Sequence, residues 1–261
     1  FRHAGVLQRM IRFEHVVKRL GGRVILDDLS FEIARGEVFV IVGPSGTGKS
    51  VTLKHMVRLM SPTSGTVWLG DQAISRADGA ALQRLRERFG YLFQGGALLG
   101  WMTVAENVAL PLEEKTGMDP GAIDARVAEV LEMVGLEADG GKLPAEISGG
   151  MQKRAGLARA IVRNPEIVLY DEPTSGLDPV TSRTIDRLIK HLNTTLGVTS
   201  VVVTHDLHSA LSIGHRIAML YQGKIVELAD PEAFITSRDP EVRQFLEAQF
   251  ITKTWRKDGK V

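Results

Sequence analysis

The chain has 261 residues, with 32 Lys plus Arg against 31 Asp plus Glu, seven His and no Cys. The lack of cysteine excludes disulfides, thiolate-held metal and a Cys nucleophile. A net charge of +1 and only 6% aromatics offer neither a general pull on nucleic acid nor a platform for stacked bases. A 44% hydrophobic share fits a chain with a substantial core, yet no apolar run reaches the roughly 18–20 residues that cross a bilayer. With no signal-like apolar stretch at the start, the expectation is a soluble intracellular protein without a nucleic-acid partner.

Residues 1–23 hold Arg2, Arg9, Arg12, Lys18, Arg19 and Arg23 against Glu14. This reads either as a solvated basic face or as an electrostatic approach for a polyphosphate or anionic lipid heads. Short β-type runs follow at 12–17, 25–33, 38–42, 66–69, 90–93, 167–170, 199–204, 216–221 and 224–228. Those at 38–42, 167–170 and 199–204 are apolar without alternation, as strands covered on both faces of a parallel sheet are. A helical stretch runs from Val51 to Met60. Ile123, Val127, Val130, Leu131 and Val134 recur at helical spacing, as do Ile185, Leu188, Ile189, Leu192 and Leu196. From about residue 96 to 165 the patterning is almost entirely helical. The expected fold is an α/β core interrupted by a helical insert.

Gly43-Pro44-Ser45-Gly46-Thr47-Gly48-Lys49-Ser50 lies between the apolar run 38–42 and the helical stretch that starts at Val51. This is the strand–loop–helix setting of a phosphate-binding loop. Its glycines let successive main-chain N–H groups face phosphate oxygens, and the helix start adds partial positive charge. Lys49 is expected on the β- and γ-phosphates and the Ser50 hydroxyl on Mg²⁺. The strand-like 167–170 ends in Asp171 and Glu172. In such a site the Asp holds Mg²⁺, while Glu172, turned another way by strand alternation, polarises the attacking water as general base. Ile147-Ser148-Gly149-Gly150-Met151-Gln152 opens a helix running to Val162 and is either a plain N-cap or a second anion-receiving helix start. Two such starts serve one nucleotide only if two chains pack head to tail. His3, His15, His55, His191, His208 and His215 are scattered, so no metal held by protein alone is expected.

The set resembles the nucleotide-binding subunit of an ABC transporter along nearly the whole chain. Residues 43–50 match Walker A, Gln94 after Tyr91-Leu92-Phe93 the Q-loop, and 147–151 the signature usually read LSGGQ. Residues 167–172 match Walker B, Ser175-Gly176-Leu177-Asp178 the D-loop, and His205 after Val201-Val202-Val203-Thr204 the switch histidine. The resemblance implies a P-loop NTPase with a RecA-like core, an antiparallel β subdomain and a helical insert. The ATPase domain is placed at 9–248, its helical subdomain at about 96–165, and a tail at 249–261 with Lys253, Arg256, Lys257 and Lys260. It implies ATP and Mg²⁺ as cofactors and a homodimer in which Ser148, Gly149, Gly150 and Met151 meet the ATP held by the other subunit's 43–51 loop. Gln94 senses Mg²⁺ and the water, Asp178 and Ser175 connect the two sites, and His205 bonds the γ-phosphate.

Two departures stand out. Leu20 occupies the place of the family's adenine-stacking aromatic, which implies weak selectivity for adenine. Met151 replaces the usual Gln. The stretch 147–160, the segment from Phe93 through Leu112, and 239–246 are similar to the ATPases of MCE-type lipid transport systems, including the Mla phospholipid-transport ATPases. That similarity implies a subunit on the cytoplasmic face of the inner membrane, powering phospholipid transport through an MCE/Mla-type permease. Ala97 to Val104, with Leu98, Leu99, Trp101 and Met102, reads either as a groove for that permease or as core of the helical insert. The alternatives are an ABC ATPase for another small solute and a soluble non-transport ABC ATPase. The latter usually carries two cassettes or a long coiled coil before the signature.

Overall fold

The computed structural model describes residues 9–114, 117–249 and 251. Arg2, His3 and the tail cations Lys253, Arg256, Lys257 and Lys260 lie outside the described residues. The described residues form two compact units, one of 9–86 with those from 203 on and one of those between 87 and 202.

The first unit opens with a long hairpin of β1 (Arg9–Leu20) and β2 (Arg23–Ala34). The apolar runs at 12–17 and 25–33 mark only its middle. Gly21 and Gly22, at φ 53° and 79°, close the tip so tightly that pairing extends to Leu20 and Arg23. β3 (Val38–Val42) is buried at every position. α1 (Lys49–Met56) starts and stops earlier than the apolar pattern suggests. Arg58 adopts φ 53°, and the N–H groups of Arg58 and Met60 turn back onto the carbonyls of His55 and Lys54, 3.2 Å each. That closes the helix before Met60.

β4 (Ser64–Leu69) pairs antiparallel with the other edge of β1, giving a three-stranded sheet in the order β2-β1-β4. α2 (Gly79–Arg86) ends with Arg86 donating to the carbonyls of Val57 and Arg58 at 2.9 and 2.7 Å. Phe31 stacks between Phe13 and Phe39, with centroids 4.5 and 5.5 Å away. This buried column packs the antiparallel sheet on β3 and so fixes the strand that leads into the 43–50 loop.

The second unit begins with β5 (Phe89–Leu92), followed by α3 (Val104–Glu113), α4 (Pro120–Met133) and α5 (Gly149–Ile161). β6 (Ile167–Asp171) and α6 (Pro179–Leu196) come next. β5 and β6 pair in parallel from Phe89↔Ile167 to Leu92↔Tyr170. Between them the described residues are helix and loop, as the periodicity of 96–165 implies. α4 buries Ile123, Val127, Val130 and Leu131, and α6 buries Ile185, Ile189 and Leu192. Arg126 of α4 donates to the Val162 carbonyl at 2.9 Å, holding α4 on the end of α5.

β7 (Thr199–Thr204), buried throughout, returns the chain to the first unit. There α7 (Leu207–Ile213), β8 (Arg216–Tyr221), β9 (Lys224–Ala229), α8 (Pro231–Ile235) and α9 (Pro240–Ala248) complete the fold. β3 and β8 pair in parallel and β8 with β9 antiparallel. β3, β6 and β7, the runs without alternation, are buried at every position, as strands covered on both faces are, whereas β5 alternates half-buried and buried positions. Among the described residues no helix is long and apolar enough to cross a membrane.

Candidate functional site

In the first unit the 43–51 loop turns out of β3 into α1. Gly43 has φ 150°, and a Cβ there would lie 2.2 Å from the Leu220 carbonyl oxygen, so the end of β8 leaves room for glycine alone. Thr47 Oγ1 donates to Pro44 O at 2.9 Å and braces the turn. Lys49 is buried, and its ammonium curls over the loop onto the carbonyls of Gly43 and Pro44 at 2.8 and 3.0 Å. Gly48, at φ 103°, is the N-cap of α1 and offers no side-chain cap, and the first turn carries no acidic residue. By contrast α3 to α9 are each closed by their own side chain: Thr103, Asp119, Ser148, Asp178, Asp206, Asp230 and Asp239. A helix start with a lysine over it and no cap or carboxylate of its own suits a polyphosphate. Ser45 and Gly46 at the loop tip are exposed, and Pro44, Thr47, Ser50 and Val51 are half-buried. His205 follows β7 and is exposed. Its carbonyl accepts from Gln249 Nε2 at 2.7 Å while Gln249 Oε1 accepts the Leu207 N–H at 2.9 Å, so a single amide clamps this turn.

The second unit gathers the other motif residues. Asp171 ends β6 and is buried, and the Tyr91 hydroxyl donates to its Oδ2 at 3.3 Å. Burial, then the Asp171 carboxylate, pushes the Tyr91 phenol well above its ordinary range. Glu172 is also buried but does not continue the strand alternation. It sits at φ 50°, a left-handed conformation that costs a non-glycine residue roughly 1–2 kcal/mol. Its divergence from Asp171 is therefore made by a turn, closed by Ser175 N–H on Glu172 O at 3.2 Å.

Ser148 is the N-cap of α5, its Oγ accepting from the Met151 N–H at 3.3 Å, and both Ser148 and Gly149 are exposed. Gly150 is buried so tightly on Thr181 that a Cβ would lie 2.5 Å from its Cγ2. Thr181 in turn donates its hydroxyl and N–H to Asp178, the N-cap of α6, and these bonds hold the Asp178 carboxyl below its ordinary range. The 148–151 turn and the 175–178 turn are thus neighbours within this unit. Gln94 is exposed, beyond the stacked rings of Tyr91 and Phe93.

Residues 26–175 match the family described as ABC transporter. The chain belongs to that family. The cassette is 42% identical to the probable ribonucleotide transport ATP-binding protein mkl of Mycobacterium leprae, over 92% of this chain and 70% of the relative. It is equally identical, 42%, to the methionine import ATP-binding protein MetN of Xanthomonas campestris pv. campestris, over 93% and 74%. It is 37% identical to the intermembrane phospholipid transport system ATP-binding protein MlaF of Haemophilus influenzae, over 93% and 92%. Among solved structures it resembles the dimeric, post-hydrolysis state of the cassette MJ0796 bound to ADP and Pi. That likeness has a TM-score of 0.78 and 35% identity over 85% of this chain and 99% of the other. The cassette is accordingly an ATP-hydrolysing subunit of a membrane ABC transporter, and the fold is the one the motifs imply.

Some supporting residues carry no motif. Asn107, fully buried in α3, holds the 99–103 loop: Nδ2 lies 3.1, 3.0 and 2.9 Å from the carbonyls of Leu99, Met102 and Thr103, and Oδ1 accepts the Leu99 N–H at 2.7 Å. The loop presents Trp101, 78% exposed, with Phe93 exposed and Leu98, Leu99 and Met102 half-buried. An Asn amid Val104, Val108 and Ala109 was the available sequence signal. N107A leaves these groups unsatisfied and is expected to lower stability by about 2–4 kcal/mol and to speed proteolysis at 97–104. A denaturation midpoint equal to wild type would contradict this.

Proposed function

We propose that this cassette powers lipid transport, with phospholipid as cargo, through an MCE/Mla-type permease on the cytoplasmic face of the inner membrane. What carries the reading is the likeness to MlaF along nearly the whole of both chains. It is joined by the signature spelled Ile147-Ser148-Gly149-Gly150-Met151-Gln152-Lys153-Arg154. Trp101 and Phe93, the latter next to Gln94 in the chain, are exposed and offer apolar surface to a membrane partner. A second reading, an importer for a small solute, is favoured by the higher identity to MetN and mkl. In either case residues 9–248 are the ATPase domain, 96–165 its helical subdomain and 249–261 a tail.

The proposed working form is a head-to-tail homodimer, supported by the dimeric state of MJ0796. The 43–51 loop binds the phosphates of ATP, with Lys49 turned from its loop carbonyls onto the β- and γ-phosphates. Ser148, Gly149, Gly150 and Met151 of the other subunit close over the γ-phosphate. Accepting the Met151 N–H leaves the Ser148 hydroxyl hydrogen available to donate. Ser175 and Asp178 connect the two sites. Ser50, Asp171 and Gln94 are the oxygen donors suited to Mg²⁺, which when bound offsets charge on the β- and γ-phosphates. Glu172 takes the proton of the attacking water as its oxygen bonds the γ-phosphorus and the β–γ bridge breaks. His205 orients the γ-phosphate.

E172Q is expected to bind ATP with near-normal affinity while turnover falls on the order of a hundredfold or more. Undiminished turnover in a steady-state phosphate assay would overturn the base assignment. For the cargo, purification of the cassette with its membrane partners in mild detergent, followed by mass spectrometry, is expected to recover an MCE-domain protein and phospholipid. Recovery of a permease linked to a solute-binding protein would decide for the second reading.

A further inference from the structure

Lys153 lies on the buried face of α5, in line with Gly150, Leu157 and Ile161. It is 6% exposed, and its ammonium donates to the main-chain carbonyls of Gln94 and, at 3.2 Å, Glu172. Burial pulls its pKa down, opposed by the carboxylates of Glu172 and Asp171. An apolar side chain of similar length would fill the same space without the cost of desolvating an ammonium. Stability alone is a poor reason for a lysine here.

Its two acceptors lie in the segments that follow two strand ends. Glu172 sits past the end of β6 in a left-handed turn, and Gln94 sits past the end of β5. Farther along α5, Arg159 donates to Gly96 O and Ala97 O at 2.7 Å each, so one helix grips both ends of the 94–97 segment. That helix begins at the Ser148 turn.

We infer that Lys153 is a positioning residue that ties the main chain of Gln94 to that of Glu172, so that a shift of the 94–97 segment is carried to the base. The inference rests on the reading of Glu172 as general base. It gives the exposed Gln94 loop a route to hydrolysis: the Gln94 and Glu172 carbonyls share one ammonium, so a shift of one pulls on the bond to the other. Positional errors near 1 Å at a reacting centre cost up to about a hundredfold in rate.

The test compares K153M, which keeps length and bulk without donors, with K153Q, which keeps an N–H donor aimed at the same carbonyls. K153M is expected to lower kcat for ATP on the order of tenfold to a hundredfold, with KM changed by less than about twofold. K153Q is expected to recover most of the rate. K153A replaces K153M should the latter not fold, as judged by circular dichroism. A wild-type kcat in the donor-free variant, a KM that rises with the fall in kcat, or a Gln variant as slow as the Met variant would each overturn the inference. E172Q is assayed in parallel. Normal turnover in E172Q rejects the base itself, whereas slow E172Q with normal K153M rejects the role of Lys153 alone.

Discussion

The structure turns on one helix start that its own side chains do not close. Gly48 cannot cap α1, the first turn has no carboxylate, and Lys49 curls over the loop carbonyls. Every helix from α3 onward has a Ser, Thr or Asp at that place. The partial positive charge at a helix N-terminus attracts anions within about one turn, and at α1 no side-chain cap meets it. The surroundings serve that arrangement. The Phe13–Phe31–Phe39 column packs on β3, and the Leu220 carbonyl lies so close to Gly43 that only glycine fits there.

The second unit is organised by α5. Its N-terminus presents Ser148, its buried face carries Lys153 to two main-chain carbonyls, and Arg159 takes two more. Gly150 lets it press on Thr181, which is bonded to Asp178. Four motif segments thus hang on a single rod, held through main-chain atoms and a capping carboxylate. A rigid element touching several loops can transmit displacement where flexible loops alone cannot. Asn107 adds the neighbouring 99–103 loop, and with it the exposed Trp101.

Much of this was legible in the residues. The strands at 38–42 and 199–204 coincide with their apolar runs because uniform burial leaves a pattern without alternation. The motif segments could be named because most of their residues have a fixed type at a fixed spacing, Met151 being a departure. Other features were not legible. The end of α1 depends on Arg58 entering a left-handed conformation, which no residue type there announces. Glu172 leaves the strand by a turn, where alternation suggested a continuing strand. The partners of Lys153 lie 59 and 19 positions away and are carbonyls, which every residue has, so sequence could mark the lysine as out of place on an apolar face without saying what it holds.

In the proposed homodimer the 43–51 loop of one chain and the Ser148 turn of another enclose the same ATP. The chain has no cysteine, so introduced pairs report without background. With S45C and S148C combined in an E172Q chain, oxidation in the presence of Mg²⁺ and ATP is expected to give a covalent dimer on a non-reducing gel. Little should form without nucleotide, and neither cysteine alone should yield it to the same extent. A double variant that stays monomeric with ATP, or cross-links equally without it, would rule out a shared ATP.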